Sequence, residues 1–142
     1  MHIGVDRATK LAHSLVTTPA NGHDSHLIGE LLQGGESGVW GDSAYMGKTE
    51  EINGKAPMAS DNRNRRSTRN RRLTEEEKER NRMLSKTRVR VGHVFGVVKN
   101  VFGYRKVRYK GLAENTNGIH VLFALSNLYM VRRKLLSLPA GA

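Results

Sequence analysis

The chain has 142 residues, enough for one domain of ordinary size and short for two. Its formal charge of +11 makes an acidic polymer such as nucleic acid the first partner to consider. The chain has no cysteine, which excludes disulfides and thiolate zinc sites and favours a cytoplasmic setting. The longest apolar-rich stretch, 119–131, contains polar residues and is shorter than the roughly 20 residues that span a bilayer. No membrane partner is therefore expected.

The charge divides the chain into two halves. Residues 1–60 hold four Lys and Arg against seven Asp and Glu, a net charge of −3. Residues 61–142 hold twenty against six, a net charge of +14. The second half is therefore predicted to carry a nucleic-acid-binding surface.

The start of the chain predicts a pair of short β-strands and a helix. Segments 1–5 and 11–18 are rich in Ile, Val and Thr, with turn residues between them. A helix is predicted to follow over 27–32, where Leu and Ile recur at helical spacing. Asn21 or Asp24 would cap that helix.

Asp42 is the best single candidate for chemistry. A third strand is predicted over 37–41 and ends at Asp42, while 53–60 could supply a further strand. Strand, strand, helix and strand is the order of an α/β fold. A carboxylate at the carboxyl end of a strand lies where open α/β sheets place their sites, although a turn or helix cap explains Asp42 equally well.

Two other groups of residues could bind a metal on composition alone. Asp6 follows the first strand and could pair with Asp42, but its place at the head of a turn favours a structural role. His23, Asp24 and His26 resemble a metal cluster. They more simply begin the first helix, and no fourth ligand is evident.

The segment 61–72 is the most basic part of the chain. It places six arginines in twelve residues with no apolar side chain, which predicts a solvated loop. So many guanidinium groups with few acidic neighbours favour phosphate contacts over a solubilising role. The predicted DNA contacts here are Arg63, Arg65, Arg66, Arg69, Arg71 and Arg72.

A second basic run covers 104–111. Tyr104 and Tyr109 in this run could stack on bases, or could simply pack against the core. The predicted DNA contacts of this run are Arg105, Lys106, Arg108 and Lys110.

Two long helices are predicted in the second half. Thr74 and Glu77 have the spacing of a capping box, which opens a helix that should run to Phe102. A last helix should end at Leu136, and its segment 119–131 is apolar nearly all round. That helix is therefore expected to be buried against the rest of the domain.

The first of these helices carries a stripe at the margin of its apolar arc. At 100° per residue, Arg88, Gly92 and Lys99 fall within about 40° of one another. The apolar arc beside them is formed by Leu84, Val91, Val94, Phe95, Val98, Val101 and Phe102.

Five segments of the chain carry a family resemblance. In chain order they are HIGVD, VTTPANGHDSH, GDSAYMG, SKTRVRVGHVFGVVKNVFGYRKVRYKGLAENT and FALSNLYMVRRKLL. The resemblance is to the C-terminal half of the DDE transposases of bacterial insertion sequences. It covers essentially the whole chain and is specific to the branch named for insertion sequence five. It implies an α/β, RNase H-like catalytic domain that is N-terminally truncated. Residues 1–60 would carry Asp42, 61–73 would form an Arg-rich loop and 74–142 the C-terminal helices.

The resemblance also implies which residues act. In such enzymes three acidic residues hold two divalent metals, Mg²⁺ or Mn²⁺, that activate water or a DNA 3′ hydroxyl. Asp42 matches the second acid and would be a metal ligand, whereas the first acid belongs to a strand upstream of HIGVD. The family pattern of Tyr, two residues, Arg, three residues, Glu, six residues and Lys falls on Ser85, Arg88, Gly92 and Lys99. Arg88 and Lys99 match the pattern, and Gly92 occupies the position of the third acid.

The resemblance therefore implies DNA transposition by a DDE transposase, acting at insertion-sequence ends and target DNA in the bacterial cytoplasm at the nucleoid. With one of three acids, the chain alone is expected to be inactive. The alternative is a catalytically dead DNA-binding fragment that joins full-length transposase, or a second copy, and inhibits transposition. An unrelated RNA-binding protein is disfavoured, because the stacking aromatics and glycine clamps of the usual RNA modules are absent.

Overall fold

A computed structural model describes residues 1–19 and 27–139. The described strands form two separate two-stranded sheets, β1–β2 and β3–β4. The mixed α/β class is confirmed, while the predicted cap at Asn21 or Asp24 and the cluster of His23, Asp24 and His26 lie outside the described residues. The elements in chain order are β1 (His2–Val5), β2 (Ala12–Val16), α1 (Ile28–Leu31), β3 (Gly38–Val39), α2 (Thr49–Lys55), β4 (Ser60–Asp61), α3 (Glu75–Asn100) and α4 (Leu112–Leu136).

The predicted pair of strands at the start is confirmed as an antiparallel hairpin. His2 pairs with Val16 and Gly4 with Ser14. In the connecting turn, the Asp6 carboxylate accepts hydrogen bonds from the Thr9 amide at 2.6 Å and the Thr9 hydroxyl at 2.7 Å. These bonds hold the pKa of Asp6 below its usual value. Asp6 therefore has the structural role that its position favoured.

The second sheet is parallel and very short. Gly38 pairs with Ser60 and Val39 with Asp61. Further backbone bonds extend the pairing, since the amide of residue 64 donates to the carbonyl of Gly41 at 3.0 Å. The extended segment 37–41 is thus found where it was predicted.

The predicted strand at 53–60 is wrong for most of its length. Residues up to Lys55 belong to α2, and only Ser60 enters β4. Glu50 and Glu51 lie in the first turn of α2 and Lys55 in its last, an arrangement that complements the helix dipole. Ile52 is fully buried between the second sheet and α1. Tertiary packing therefore stabilises a helix that the local sequence pattern does not predict.

The capping box is confirmed at the start of α3. The Thr74 hydroxyl accepts from the Glu77 amide at 3.2 Å, and the Glu77 carboxylate accepts from the Thr74 amide at 3.1 Å. The helix ends at Asn100, two residues before the predicted end, and Gly103 follows with φ of +65°. Such a positive φ is easy only for glycine, which explains why the chain turns here.

The main core lies between α3, α4 and the hairpin. Val94 and Val98 of α3 pack with Ile119 and Phe123 of α4. The Asn127 side chain fixes α4 to the hairpin, because its oxygen accepts from the Ala12 amide at 3.0 Å and its nitrogen donates to the Ala12 carbonyl at 2.7 Å.

The expected burial of α4 against the rest of the domain is found on one face of the helix only. Only Ile119, Phe123 and Ser126 of this helix are buried, and they share one side. The opposite side exposes large apolar residues, because the hairpin and α3 cover only one face. None of the described helices is long and apolar enough to cross a membrane. Apart from Leu112 at its first position, the exposed large apolar residues of α4 are Val121, Leu125, Leu128, Leu135 and Leu136.

Candidate active site and nucleic-acid interface

Asp42 lies directly after the β3–β4 pairing and begins a short 3-10 turn at Ser43–Tyr45. Its Oδ1 accepts a hydrogen bond from the Ala44 amide at 2.9 Å. Its other carboxylate oxygen lies 3.9 Å from Nη2 of Arg88 in α3. Both side chains remain partly exposed. The fold therefore brings together, from a strand end and a helix, two residues that the sequence places 46 positions apart.

The turn that carries Asp42 is supported from behind by Arg63. This side chain is buried, with 3% of the residue exposed. Its guanidinium donates to the Tyr45 carbonyl, to Thr49 Oγ1 at 2.9 Å and to the Asp61 carboxylate at 2.8 and 2.6 Å. The hydrogen bonds from Arg63 hold the pKa of Asp61 below its usual value.

The burial of Arg63 departs from the predicted solvated arm. The Arg-rich composition marked Arg63 as a phosphate contact, but its donors are used inside the fold. The support is tight at Gly41, where a Cβ atom would lie 3.2 Å from the Tyr45 ring and 3.4 Å from the Arg63 side chain. Arg63 is therefore a positioning residue for the turn at Asp42.

Two other arginines of this segment pair with Glu77. Arg65 Nη1 and Arg71 Nη2 each lie 2.6 Å from Oε1 of Glu77. Their hydrogen bonds, that from Arg65 first, lower the pKa of Glu77 from its usual 4.5 to about 2. Glu77 thus closes the Arg-rich segment onto the first turn of α3, and both arginines remain about half exposed. In the sequence, Glu77 lies only a few residues after the Arg-rich segment, and this proximity is the signal that indicates its ion pairs with Arg65 and Arg71.

The remaining cations are exposed. We call Arg66, Arg69 and Arg72 the outer arginines; they make no ion pair within the described part of the chain. The side chain of Asn115 shapes the loop between α3 and α4, with hydrogen bonds of 3.2 and 2.7 Å to the backbone of Tyr109. Tyr104 packs against the core, whereas Tyr109 is exposed. The exposed cations of this loop, here the basic loop, are Arg105, Lys106, Arg108 and Lys110.

The other residues of the predicted stripe lie further along α3. Gly92 is exposed one helical turn after Arg88, and a Cβ atom built there would meet no other atom within 4 Å. Lys99 is also exposed, but the helical rise places it about 16 Å along the axis from Arg88. The structure therefore brings Arg88 to Asp42 and leaves Lys99 apart from them.

Within residues 1–19 and 27–139, the side chains around Asp42 do not fit a pair of divalent metal ions. Among the described residues, no group of three or more His, Asp or Glu side chains converges on one point. Asp42 has a guanidinium beside it, and Asp6 is engaged in its own turn. Mg²⁺ and Mn²⁺ need several oxygen ligands and compensating negative charge. No chemical step is therefore assigned to a metal on this chain.

A cleft separates the two sheets next to this site. It has a volume of about 730 Å³, and β1, β3 and the part of α3 around Arg88 and Arg90 line it. The Arg7 guanidinium lies 5.0 Å from the ring centre of Trp40, and Arg90 Nη1 donates to the Arg7 carbonyl at 2.7 Å. Both β1 and β3 have a single strand partner among the described residues, so each can accept another strand.

Comparison with known proteins agrees with the motifs. No solved structure matches the chain. The model of the family described as "Transposase DDE domain" matches residues 1–128, a span that includes Asp42, Arg88, Gly92 and Lys99. The chain belongs to the transposase DDE domain family.

Proposed function

We propose that this chain is the C-terminal part of a transposase of the branch named for insertion sequence five, with an RNase H-like catalytic domain. In the complete enzyme, Asp42 would supply one of the metal-binding carboxylates for phosphodiester cleavage and strand transfer. The distance of 3.9 Å between Asp42 and Arg88 carries this proposal. The family pattern links these two residues independently of their positions in space, and the family match supports a function in transposition.

Position 92 would hold the third acid in an active relative. Side chains on a helix lean towards its N-terminus, so a carboxylate at this position would lean towards Arg88 and hence towards Asp42. The open space at Gly92 would accept a glutamate without a clash. In this chain the guanidinium of Arg88 is the counter-charge that faces Asp42.

The first acid would come from a strand that lies between the two sheets. The cleft beside β1 and β3 supports this part of the proposal, because a strand placed there would pair with both and join the hairpin to the second sheet. A carboxylate at the end of that strand would lie beside the strand end that carries Asp42.

A cleavage assay with four chains tests the proposal. The chains are the unmodified one, Gly92→Glu, one extended by the upstream segment of an active relative, and one with both changes. DNA carrying an insertion-sequence end is incubated with each in Mg²⁺ or Mn²⁺. We expect metal-dependent cleavage only with both changes, and Asp42→Ala should abolish it. Cleavage by the unmodified chain that Asp42→Ala does not reduce would contradict the assignment of these positions.

A second function is supported by the exposed cations. The outer arginines and the basic loop leave seven cationic side chains available for phosphates. We infer that the chain binds DNA with little sequence preference, at the nucleoid, and inhibits full-length transposase by occupying DNA or by joining it. The affinity should then fall steeply with salt, with a log–log slope of about −0.9 per phosphate contact. Salt-independent binding, or no effect on a transposition reaction, would rule this out.

A further inference from the structure

The exposed side of α4 carries a regular seam. Its members alternate at spacings of four and three residues, the spacing at which helices pair in coiled coils. The seam lies on the side of α4 opposite to the buried Ile119 and Phe123. Its residues are Glu114, Gly118, Val121, Leu125, Leu128, Arg132 and Leu135.

The large apolar side chains of this seam are exposed in the described part of the chain. The exposed fraction is 60% for Val121, 42% for Leu125, 55% for Leu128 and 47% for Leu135. Isolated apolar residues are common on protein surfaces, but a contiguous apolar strip with polar ends indicates an interaction site. The heptad spacing indicates that the partner is another helix.

The two ends of the seam carry opposite charges. Glu114 lies near its start and Arg132 near its end, and neither has an ion pair in the described structure. The Arg132 guanidinium rests 3.8 Å from the ring centre of Tyr129 and donates to the Tyr129 carbonyl at 2.6 Å. Both contacts lie within the last turns of α4, so the guanidinium stays at the surface beside the seam.

We propose that α4 pairs with α4 of a second copy, in antiparallel orientation, about a two-fold axis level with residue 123. In this register Glu114 faces Arg132 of the second copy. A two-fold axis repeats every contact, so the two charge pairs form at once.

The same register also pairs the apolar members of the seam. Val121 meets Leu125 of the second copy, and Leu128 meets the ring of Tyr109, which lies over Gly118 and would be 3.5 Å from a Cβ atom there. A parallel pair would instead place Glu114 against Glu114 and Arg132 against Arg132, which like charges disfavour. The contact uses one helix from each copy and lies at the small end of the range for specific interfaces, so a concentration-dependent equilibrium between monomer and dimer is expected.

Charge reversal tests the pairing. Sedimentation equilibrium of the purified chain should show a reversible dimer. Glu114→Arg alone and Arg132→Glu alone should each weaken the dimer at least about fivefold, and the double variant should recover it. Arg133→Glu is the matched control, because it changes the charge equally on the neighbouring residue, about 100° away from the seam. Circular dichroism checks that each variant keeps its helix content.

Three outcomes would overturn the pairing. The chain could remain monomeric at all concentrations, as expected if another part of a longer protein covers the seam. The double variant could fail to recover the dimer. Arg133→Glu could weaken association as much as Arg132→Glu does, which would indicate an unspecific effect of charge.

Cross-linking tests the orientation, since the chain has no cysteine of its own. Glu114→Cys and Arg132→Cys are made separately. A mixture of the two should form a disulfide-linked dimer, because these positions face each other and the second charge pair stays intact. Either variant alone should not, because the antiparallel register separates its two cysteines by about 27 Å along the helix axis. Efficient cross-linking of each variant alone, with none gained in the mixture, would overturn the antiparallel register.

Discussion

Replacing Arg63 by alanine should destabilise the fold by about 2–3 kcal/mol. Arg63 donates to the Tyr45 carbonyl, to Thr49 Oγ1 and to the carboxylate of Asp61. Removing one partner of a fully buried ion pair costs about 3–5 kcal/mol, because the other charge stays desolvated. The Asp61 side chain is 48% exposed, so water can replace part of what it loses and the cost is smaller. The loss of the hydrogen bonds to Tyr45 and Thr49 accounts for most of the remaining loss in the free energy of unfolding.

Urea unfolding followed by circular dichroism measures this cost. Arg66→Ala is the matched control, because Arg66 is exposed without an ion pair and its removal should change the free energy of unfolding by less than about 0.5 kcal/mol. Arg63→Lys keeps the charge, but one ammonium group cannot reach all three acceptors. Its loss of stability should therefore lie between those of Arg63→Ala and Arg66→Ala. A destabilisation by Arg63→Ala as small as that by Arg66→Ala would refute the supporting role assigned to Arg63.

Three further predictions concern neighbouring parts of the site. The pKa of Glu77 is lowered to about 2, so its ion pairs stabilise the fold fully above about pH 4.5 and lose this effect as the pH falls towards 2. Glu77→Gln should therefore be less stable than the wild type at neutral pH, and it should lose less stability on acidification. Gly41→Ala should destabilise the fold by about 1–2 kcal/mol through its close approach to Tyr45 and Arg63, whereas Gly96→Ala, in open space on α3, should stabilise it by roughly 0.5–1 kcal/mol. Replacing the outer arginines by alanine should make the salt slope of DNA binding shallower by about 0.9 for each phosphate that these side chains neutralise.

A different experimental result would contradict each of these three predictions. Parallel acid-unfolding profiles for the wild-type chain and Glu77→Gln would show that the ion pairs do not contribute. If thermal unfolding shows the same change in stability for Gly41→Ala and Gly96→Ala, then the close contacts at Gly41 do not destabilise the variant. An unchanged salt slope without the outer arginines, measured by fluorescence anisotropy, would place the DNA interface elsewhere on the chain.

The features that were predictable depend on neighbours in sequence. Thr74 and Glu77 satisfy each other's backbone across three residues, and the hairpin closes over the six residues from Asp6 to Leu11. Asp42 was found because a strand signal ends just before it. In each case the partners lie within one turn or one strand, where spacing alone indicates the contact.

The features that were missed depend on partners far along the chain. Arg63 is buried because its guanidinium finds acceptors such as the Tyr45 carbonyl, 18 residues earlier in the chain. The composition of the Arg-rich segment does not indicate this distant partner. The stripe on α3 placed Arg88 and Lys99 on one side, but a shared angle does not mean a shared site, because the helical rise separates them. The apolar composition of α4 predicted burial against the rest of the domain, which α3 and the hairpin provide on one face, whereas the seam on the other face stays exposed.

We propose that Asp42 and position 92 face the same site, and Mn²⁺ binding shows whether a carboxylate at position 92 acts together with Asp42. Titration of the purified chains by electron paramagnetic resonance should show that Gly92→Glu binds Mn²⁺ at least about ten times more tightly than the wild type. Gly96→Glu is the matched control, since it adds the same carboxylate to the same helix about 12 Å from Arg88 and should show no gain. We expect Asp42→Ala to remove the gain in the Gly92→Glu background, because both carboxylates would bind the same ion. A gain that survives Asp42→Ala, or one that Gly96→Glu shows equally, would contradict this proposal.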